Sequence, residues 1–155
     1  MNSNTKYEEC LKKGKIRKFS RGKALVSKEL DLALSDYNTA EESFERKNYK
    51  WCTIQTYYSM FHSARALLYS NNLREKSHFC LIEAIRAMYV DKGLLGYELI
   101  EAFQKAKRLR EEADYYGEFS QENAQDLLYK AKEFLEKTRE ELDNPQLEFT
   151  QNYKK

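Results

Sequence analysis

Hydrophobic residues recur every three or four positions along most of this chain, which is the spacing of amphipathic helices. Residues 51–69 are the strongest case, with one wide helical face formed by Trp51, Ile54, Tyr58, Phe61, His62, Arg65, Leu68 and Tyr69. Because a face so rich in aromatic residues belongs in a core, we expect this helix at the centre of the fold. Its histidine and arginine need polar partners there.

Five further segments follow helical spacing. They are residues 5–13, 23–47, 77–93, 97–114 and 120–142. Five glycines and a single proline, Pro145, leave the long segments largely uninterrupted, and Ser77 and Ser120 stand where helix N-caps are expected. No strand of useful length is visible in the pattern. We therefore predict an all-α fold, an up-and-down antiparallel bundle of four or five main helices.

The bundle is assigned to residues 23–143, between a short helix with a basic connector (1–22) and a polar C-terminal tail (144–155). Residues 12–23 contain seven lysines and arginines, two glycines and no acid. We interpret this basic segment as a mobile connector. The alternative is phosphate binding, in which its cations and Phe19 follow a nucleic-acid backbone. Residues 1–30 carry +6 in a chain of net charge +2. One interpretation of this asymmetry is an ordinary solvated surface, and the alternative is a local anionic partner near the N-terminus.

Composition narrows the class of protein. A length of 155 residues suits one domain. The apolar runs are far too short for a bilayer about 30 Å thick, and the N-terminus lacks an apolar signal core, so we expect a cytoplasmic protein without a membrane span. Cys10, Cys52 and Cys80 lack metal-ligand spacing, and we expect them to be reduced packing residues. Without a glycine-rich phosphate loop or a zinc pattern, we expect no cofactor and no metal.

Two predicted helices each carry an arginine in an otherwise apolar stripe. His62 and Arg65 are three residues apart on one helix, and Arg110 and Asp114 are four apart on another. One interpretation is a structural ion pair, in which Asp114 lies between Arg65 and Arg110. The other is a cleft in which His62, Arg65 and Arg110 bind a phosphate and catalyse, with His62 exchanging a proton near neutral pH.

The second histidine follows the presumed cap Ser77. Because the first turn of a helix attracts anions, Arg74, Lys76, Ser77 and His78 are a candidate nucleotide or phosphate site. The alternative is that Ser77 only caps the helix and that His78 lies on the surface.

Three motifs carry a family resemblance. Residues 57–68 (YYSMFHSARALL), 76–78 (KSH) and 110–115 (REEADY) resemble, in this order, the small prokaryotic HEPN-domain proteins of the UPF0332 type. The resemblance implies a helical bundle that is commonly a homodimer. It also implies a toxin–antitoxin pairing with a minimal nucleotidyltransferase, with nucleotide binding in some members. The RNase branches carry an arginine followed four to six residues later by a histidine.

This chain departs from that RNase motif, because no histidine stands between Arg110 and Gly117. We therefore predict a binding module in a toxin–antitoxin-like pair that binds nucleotide or RNA. The alternative is a metal-independent RNase toxin that uses histidine and arginine side chains, with His62 or His78 as the proton carrier.

Overall fold

The computed structural model describes the backbone of residues 3–116 and 119–143 and the side chains of residues 4–112 and 119–143. Along the chain it contains α1 (Ser3–Lys12), β1 (Ile16–Lys18), α2 (Gly22–Glu45), α3 (Tyr49–Tyr69), β2 (Leu73–Glu75), α4 (His78–Ile85), a π-helical turn (Arg86–Val90), α5 (Tyr97–Tyr116) and α6 (Gln121–Leu142). The predicted all-α bundle is confirmed.

The central position of α3 is confirmed as well. It packs against α2, α4, α5 and α6, and thirteen of its 21 residues are buried. The side chains fully buried where α3 meets α5 and α6 include Tyr57, Met60, Leu67, Phe103 and Phe134. Trp51 was placed in the core by its spacing, but it is 50% exposed in the first turn of α3. A helix surrounded by several neighbours buries small residues on its other sides, among them Thr56, Ser59 and Ala64.

The predicted caps are present. The Ser77 hydroxyl accepts a hydrogen bond from the Cys80 amide at 3.1 Å, and Ser120 accepts one from Asn123 at 3.0 Å. The Asn48 side chain accepts from the Trp51 amide at 3.3 Å and starts α3 directly after α2. These caps satisfy free amides at the helix starts, so the long helices begin close to their predicted positions.

A small antiparallel sheet corrects the description of the basic segment as only a mobile connector. Strand β1 pairs with β2 so that Ile16 faces Glu75 and Arg17 faces Arg74. Three residues are too few for an alternating pattern to be recognised, and the pairing partners are far apart in sequence. Gly22 allows the chain to approach the end of α3, because a Cβ there would lie 2.5 Å from the Tyr69 carbonyl oxygen.

The expectation of three reduced cysteines is wrong for two of them. Cys10 in α1 and Cys80 in α4 form a disulfide with Cα atoms 5.8 Å apart, while Cys52 is free and buried. Burial raises the pKa of the Cys52 thiol to about 11, which keeps it protonated. No spacing in the sequence indicates that Cys10 and Cys80 pair, since the bond depends on α1 packing against α4. Disulfides are uncommon in a reducing cytoplasm, so the bond does not fit the expected cytoplasmic location.

No helix in the described ranges is long and apolar enough to cross a membrane. The domain boundaries stay predictions, although α1 contacts α4 and β1 pairs with β2 beside the bundle.

Counting thiols tests the disulfide directly. After denaturation without reductant, we expect one thiol per chain to react, that of Cys52, and three to react after reduction. Reduction should lower the free energy of unfolding by about 2–4 kcal/mol, because the closed loop spans 70 residues. A variant with Cys10→Ser and Cys80→Ser should unfold alike with and without reductant. Three reactive thiols in the unreduced protein would show that no bond forms.

Candidate functional site

His62 of α3 lies between one buried and one partly exposed carboxylate. His62 Nδ1 is 2.8 Å from Glu29 Oε1 of α2, and its Nε2 is 3.7 Å from Asp36 Oδ2. Glu29 is only 5% exposed. A carboxylate at this distance occupies one ring nitrogen of His62 and repels a phosphate. The structure therefore gives His62 a role in joining α2 to α3.

Arg65 also meets a buried acid. Its Nη2 and Nε donate to Glu75 Oε2 at 2.6 and 3.1 Å, and its Nη1 lies 4.0 Å from Glu29 Oε1. The guanidinium lies over the rings of Phe61 and Tyr69, at 4.6 and 5.6 Å. Burial lowers the pKa of Arg65, but the hydrogen bond and charge of Glu75 outweigh burial, so the net pKa is raised. Arg65 thus carries a fixed, compensated charge.

Arg65 is paired with Glu75, whereas the predicted ion pair used Asp114. Asp114 lies outside the described side chains, so the proposed contact of Asp114 with Arg65 and Arg110 stays a prediction. Among the described residues, the carboxylates near Arg65 are Glu75 and Glu29. In the sequence, Glu75 stands between two cations, Arg74 and Lys76. A single acid that interrupts a basic run is the feature from which its role as a partner could have been predicted.

Arg110 lies in a different setting, which we call the Tyr57 cluster: Tyr57 and Tyr58 of α3, His78 of α4 and Arg110 of α5. The Arg110 guanidinium lies 4.7 Å from the ring centre of Tyr57 and 5.5 Å from that of Tyr58. Its Nη1 donates to Tyr58 Oη at 3.1 Å. Three helices therefore converge on one fully buried ring, that of Tyr57.

His78 completes this cluster through its ring. Its Nδ1 shares a hydrogen bond with Tyr57 Oη, and its ring centre lies 4.7 Å from that of Phe61. The Ser77 cap fixes the start of α4 and so positions His78, which points to Tyr57 instead of lying free on the surface. Tyr57 was missed as a site residue, because its spacing indicated only core packing.

The electrostatics of the Tyr57 cluster favour an anion. Burial, and then the charge of Arg110, lowers the pKa of His78, with smaller effects in the same direction from Lys107 and Arg65 and an opposing one from Glu75. Burial raises the pKa of Tyr57, so its hydroxyl keeps its proton and can donate to His78 Nδ1. No described carboxylate lies within 4.0 Å of Arg110, and its buried Nε has no described acceptor.

The predicted site residues are thus divided between two places. His62 and Arg65 meet acids, whereas Arg110 and His78 both contact Tyr57. Phe61 contacts both groups, through Arg65 and through His78. Lys76 is exposed and Arg74 lies over Phe19 at 5.0 Å, on the two-stranded sheet.

The comparison with protein-family models gives one match, to the HEPN domain, over residues 26–142. This chain belongs to the HEPN-domain family. The matched range contains both histidines, Arg65 and Arg110. It begins after the basic segment and β1.

Curated relatives agree with that assignment. "Putative toxin MJ0605" of Methanocaldococcus jannaschii is 30% identical over 129 residues, which cover 77% of this chain and 96% of the relative. "Putative toxin MJ0142" of the same organism is 29% identical over 124 residues, covering 79% and 84%. A UPF0332 protein of Archaeoglobus fulgidus is 33% identical over 102 residues, covering 64% and 81%. The resemblance to HEPN and UPF0332 proteins is confirmed.

The Arg65–Glu75 contact predicts a stability effect. Glu75→Gln should lower the free energy of unfolding by about 3 kcal/mol, because Arg65 loses the partner that compensates its burial. Glu42→Gln, at an exposed position of α2, is the matched control and should change stability by less than about 0.5 kcal/mol. Urea denaturation of the two variants compares them. Equal, small losses would mean that the Arg65 charge is hydrated.

The setting of His78 predicts its titration. In NMR spectra, His78 should titrate below about pH 6.5, and Arg110→Gln should move its pKa upward toward the ordinary value. Since the folded pKa is lowered, the stability contributed by neutral His78 is present above about pH 6.5 and declines as the pH falls. His78→Gln should remove that decline between about pH 7 and 5 and identifies the resonance. A His78 pKa above the ordinary value would contradict this geometry.

Proposed function

We propose that this HEPN protein is the toxin-like member of a toxin–antitoxin-like pair and that it acts by binding a phosphate group of RNA at the Tyr57 cluster. The observation that carries the proposal is that Arg110 and His78, from two different helices, both contact Tyr57. Two relatives named as toxins support the toxin-like part of the proposal. A minimal nucleotidyltransferase partner and a homodimer stay predictions from the family resemblance.

The chemistry of Arg110 suits a phosphate. A guanidinium has five N–H donors in a planar fork, and among the described residues only Tyr58 Oη accepts from it. The rings of Tyr57 and Tyr58 hold the fork in place by cation–π contact. Because less conformational freedom is then lost on binding, a phosphate oxygen can be bound with the donors already oriented.

His62 and Arg65 suit a phosphate less well. Glu29 and Glu75 would repel an anion brought to them, and Arg65 already donates twice to Glu75. We therefore assign these residues to the structure of the bundle and assign phosphate binding to Arg110 and His78.

Metal-independent RNA cleavage is the second candidate function, and one observation favours it. His78, from another helix, contacts the same tyrosine as Arg110, although no histidine follows Arg110 in the sequence. In the tautomer whose Nδ1–H donates to Tyr57 Oη, a neutral His78 has Nε2 free to accept the proton of a ribose 2′-hydroxyl while that oxygen attacks the adjacent phosphorus. Arg110 would stabilise the charge that develops on the phosphate. As the P–O5′ bond breaks, the leaving 5′-oxygen takes up the proton that His78 accepted.

A binding measurement with labelled single-stranded RNA tests the proposal. In chelator, Arg110→Gln should weaken binding at least about tenfold, since a charge-assisted contact is lost. Arg108→Gln is the matched control, because Arg108 is an exposed arginine two residues away on α5. It should change affinity less than about twofold. If folded Arg110→Gln binds RNA as tightly as the native protein, the Tyr57 cluster is not the phosphate site.

The same reactions separate binding from cleavage. RNA that stays intact with the native protein supports binding alone. Cleavage that is lost in His78→Asn, while RNA binding is retained and His62→Asn remains active, supports the RNase candidate. Cleavage that persists unchanged in His78→Asn contradicts the assigned role of His78.

A further inference from the structure

The two-stranded sheet brings together cations that are far apart in sequence. Arg17 of β1 lies directly opposite Arg74 of β2, and the Lys76 amide donates to the Lys15 carbonyl at 2.8 Å. Alternate residues of a strand share a face. Lys15, Arg17, Arg74 and Lys76 are therefore on one face, and all four are exposed. We call them the basic ribbon.

The other face of the sheet is turned into the protein. Ile16 is 3% exposed and Glu75 is 6% exposed, and these two residues are register partners. Glu75 is the one acid in the two strands, and its carboxylate binds Arg65. The alternation of the strands therefore turns the single negative charge inward and leaves Arg17 and Arg74 on the outer face, while Lys18 shares the face of Ile16.

The positive charge of the basic ribbon is not balanced by described carboxylates. Like charges directly opposite each other destabilise an antiparallel pair, and Arg17 faces Arg74 in this way. None of the four cations has an ion pair with a described carboxylate, and the described partner of Arg17 Nε is the Gly14 carbonyl oxygen at 2.9 Å. Two opposed pairs of cations without acids gain most from a ligand that carries repeated negative charges.

One partly exposed aromatic residue beside the basic ribbon, Phe19, indicates the class of ligand. The Arg74 guanidinium lies 5.0 Å from the ring centre of half-buried Phe19, and that ring lies 5.1 Å from Tyr69. Cations interleaved with aromatic rings are typical of surfaces that follow single-stranded nucleic acid, whereas an acidic peptide needs the charges alone.

The basic ribbon also adjoins the Tyr57 cluster along the chain. Lys76 is separated from His78 only by the cap Ser77, whose bond to the Cys80 amide fixes the turn. A strand of RNA held by the basic ribbon therefore has a phosphate-binding cluster at the end of β2.

We propose that the basic ribbon binds the sugar–phosphate backbone of single-stranded RNA and guides the strand to the Tyr57 cluster. This inference rests on the proposed function for the role of the cluster. Lys15 and Arg17 lie outside the range matched by the HEPN domain, whereas Arg74 and Lys76 lie within it. Because residues i and i+2 of a strand are about 6.6 Å apart, each strand can contact phosphates spaced along an extended backbone.

Salt-dependent binding of labelled single-stranded RNA tests the basic ribbon. A variant with Arg17→Gln and Arg74→Gln should bind about tenfold or more weakly at low salt. The slope of log K against log salt should become shallower by about 1.4, the value for two lost phosphate contacts with a single strand. A control variant with Arg46→Gln and Arg108→Gln has the same charge change at exposed sites and should keep the native slope. The ribbon variant should melt at the native temperature or above, because a repulsive pair is removed.

A second probe, a nucleoside monophosphate, distinguishes the basic ribbon from the Tyr57 cluster. It is too short to span both, so Arg110→Gln should weaken its binding and the ribbon variant should not. If Arg110→Gln weakens RNA binding while the ribbon variant binds like the native protein, the ribbon inference is wrong and the cluster stands. If only the ribbon variant weakens RNA binding, RNA binding by the basic ribbon is supported and phosphate binding at the Tyr57 cluster is wrong. Equal competition by an acidic peptide of matched charge would overturn the choice of RNA.

Discussion

The structure depends on the burial of α3, a helix that carries an arginine and a histidine into the centre of a bundle. Burying charge is costly unless partners are supplied, and here they come from α2 as Glu29 and from β2 as Glu75. Because each acid is nearly inaccessible to water, the positions of α2 and β2 relative to α3 are fixed by ion pairs as well as by apolar packing. This requirement explains why a three-residue strand is held against the end of a helical bundle.

The short segment from Arg74 to His78 follows from that anchor. With Glu75 turned inward to Arg65, strand geometry turns Arg74 and Lys76 outward. Ser77 then caps α4, and His78, the next residue, shares a hydrogen bond with Tyr57, the tyrosine that Arg110 also contacts. One buried acid thus sets both the outer basic face and the position of the histidine. The disulfide between Cys10 and Cys80 ties α1 to the same end of α4.

The two arginines of the apolar stripes show how environment decides chemistry. Arg65 is satisfied by Glu75, so its charge serves the fold. Arg110 rests on the rings of Tyr57 and Tyr58 beside a histidine that burial and positive charge keep neutral. A cation without a described carboxylate partner is the one suited to an anionic ligand. The same residue type therefore supports packing in one helix and candidate binding in another.

The sequence by itself determined the helices, their order and two of their caps, because helical periodicity and capping depend on residues only a few positions apart. Family membership was also readable, from the motifs around Tyr57, Lys76 and Arg110. Only the tertiary structure decided that Glu75 partners Arg65, that His78 and Arg110 both contact Tyr57, that β1 pairs with β2 and that Cys10 bonds to Cys80. Each of these contacts joins distant parts of the chain, and several carboxylates could have served each cation equally well by sequence spacing. The choice among them is made by how the helices pack, and no local pattern encodes it.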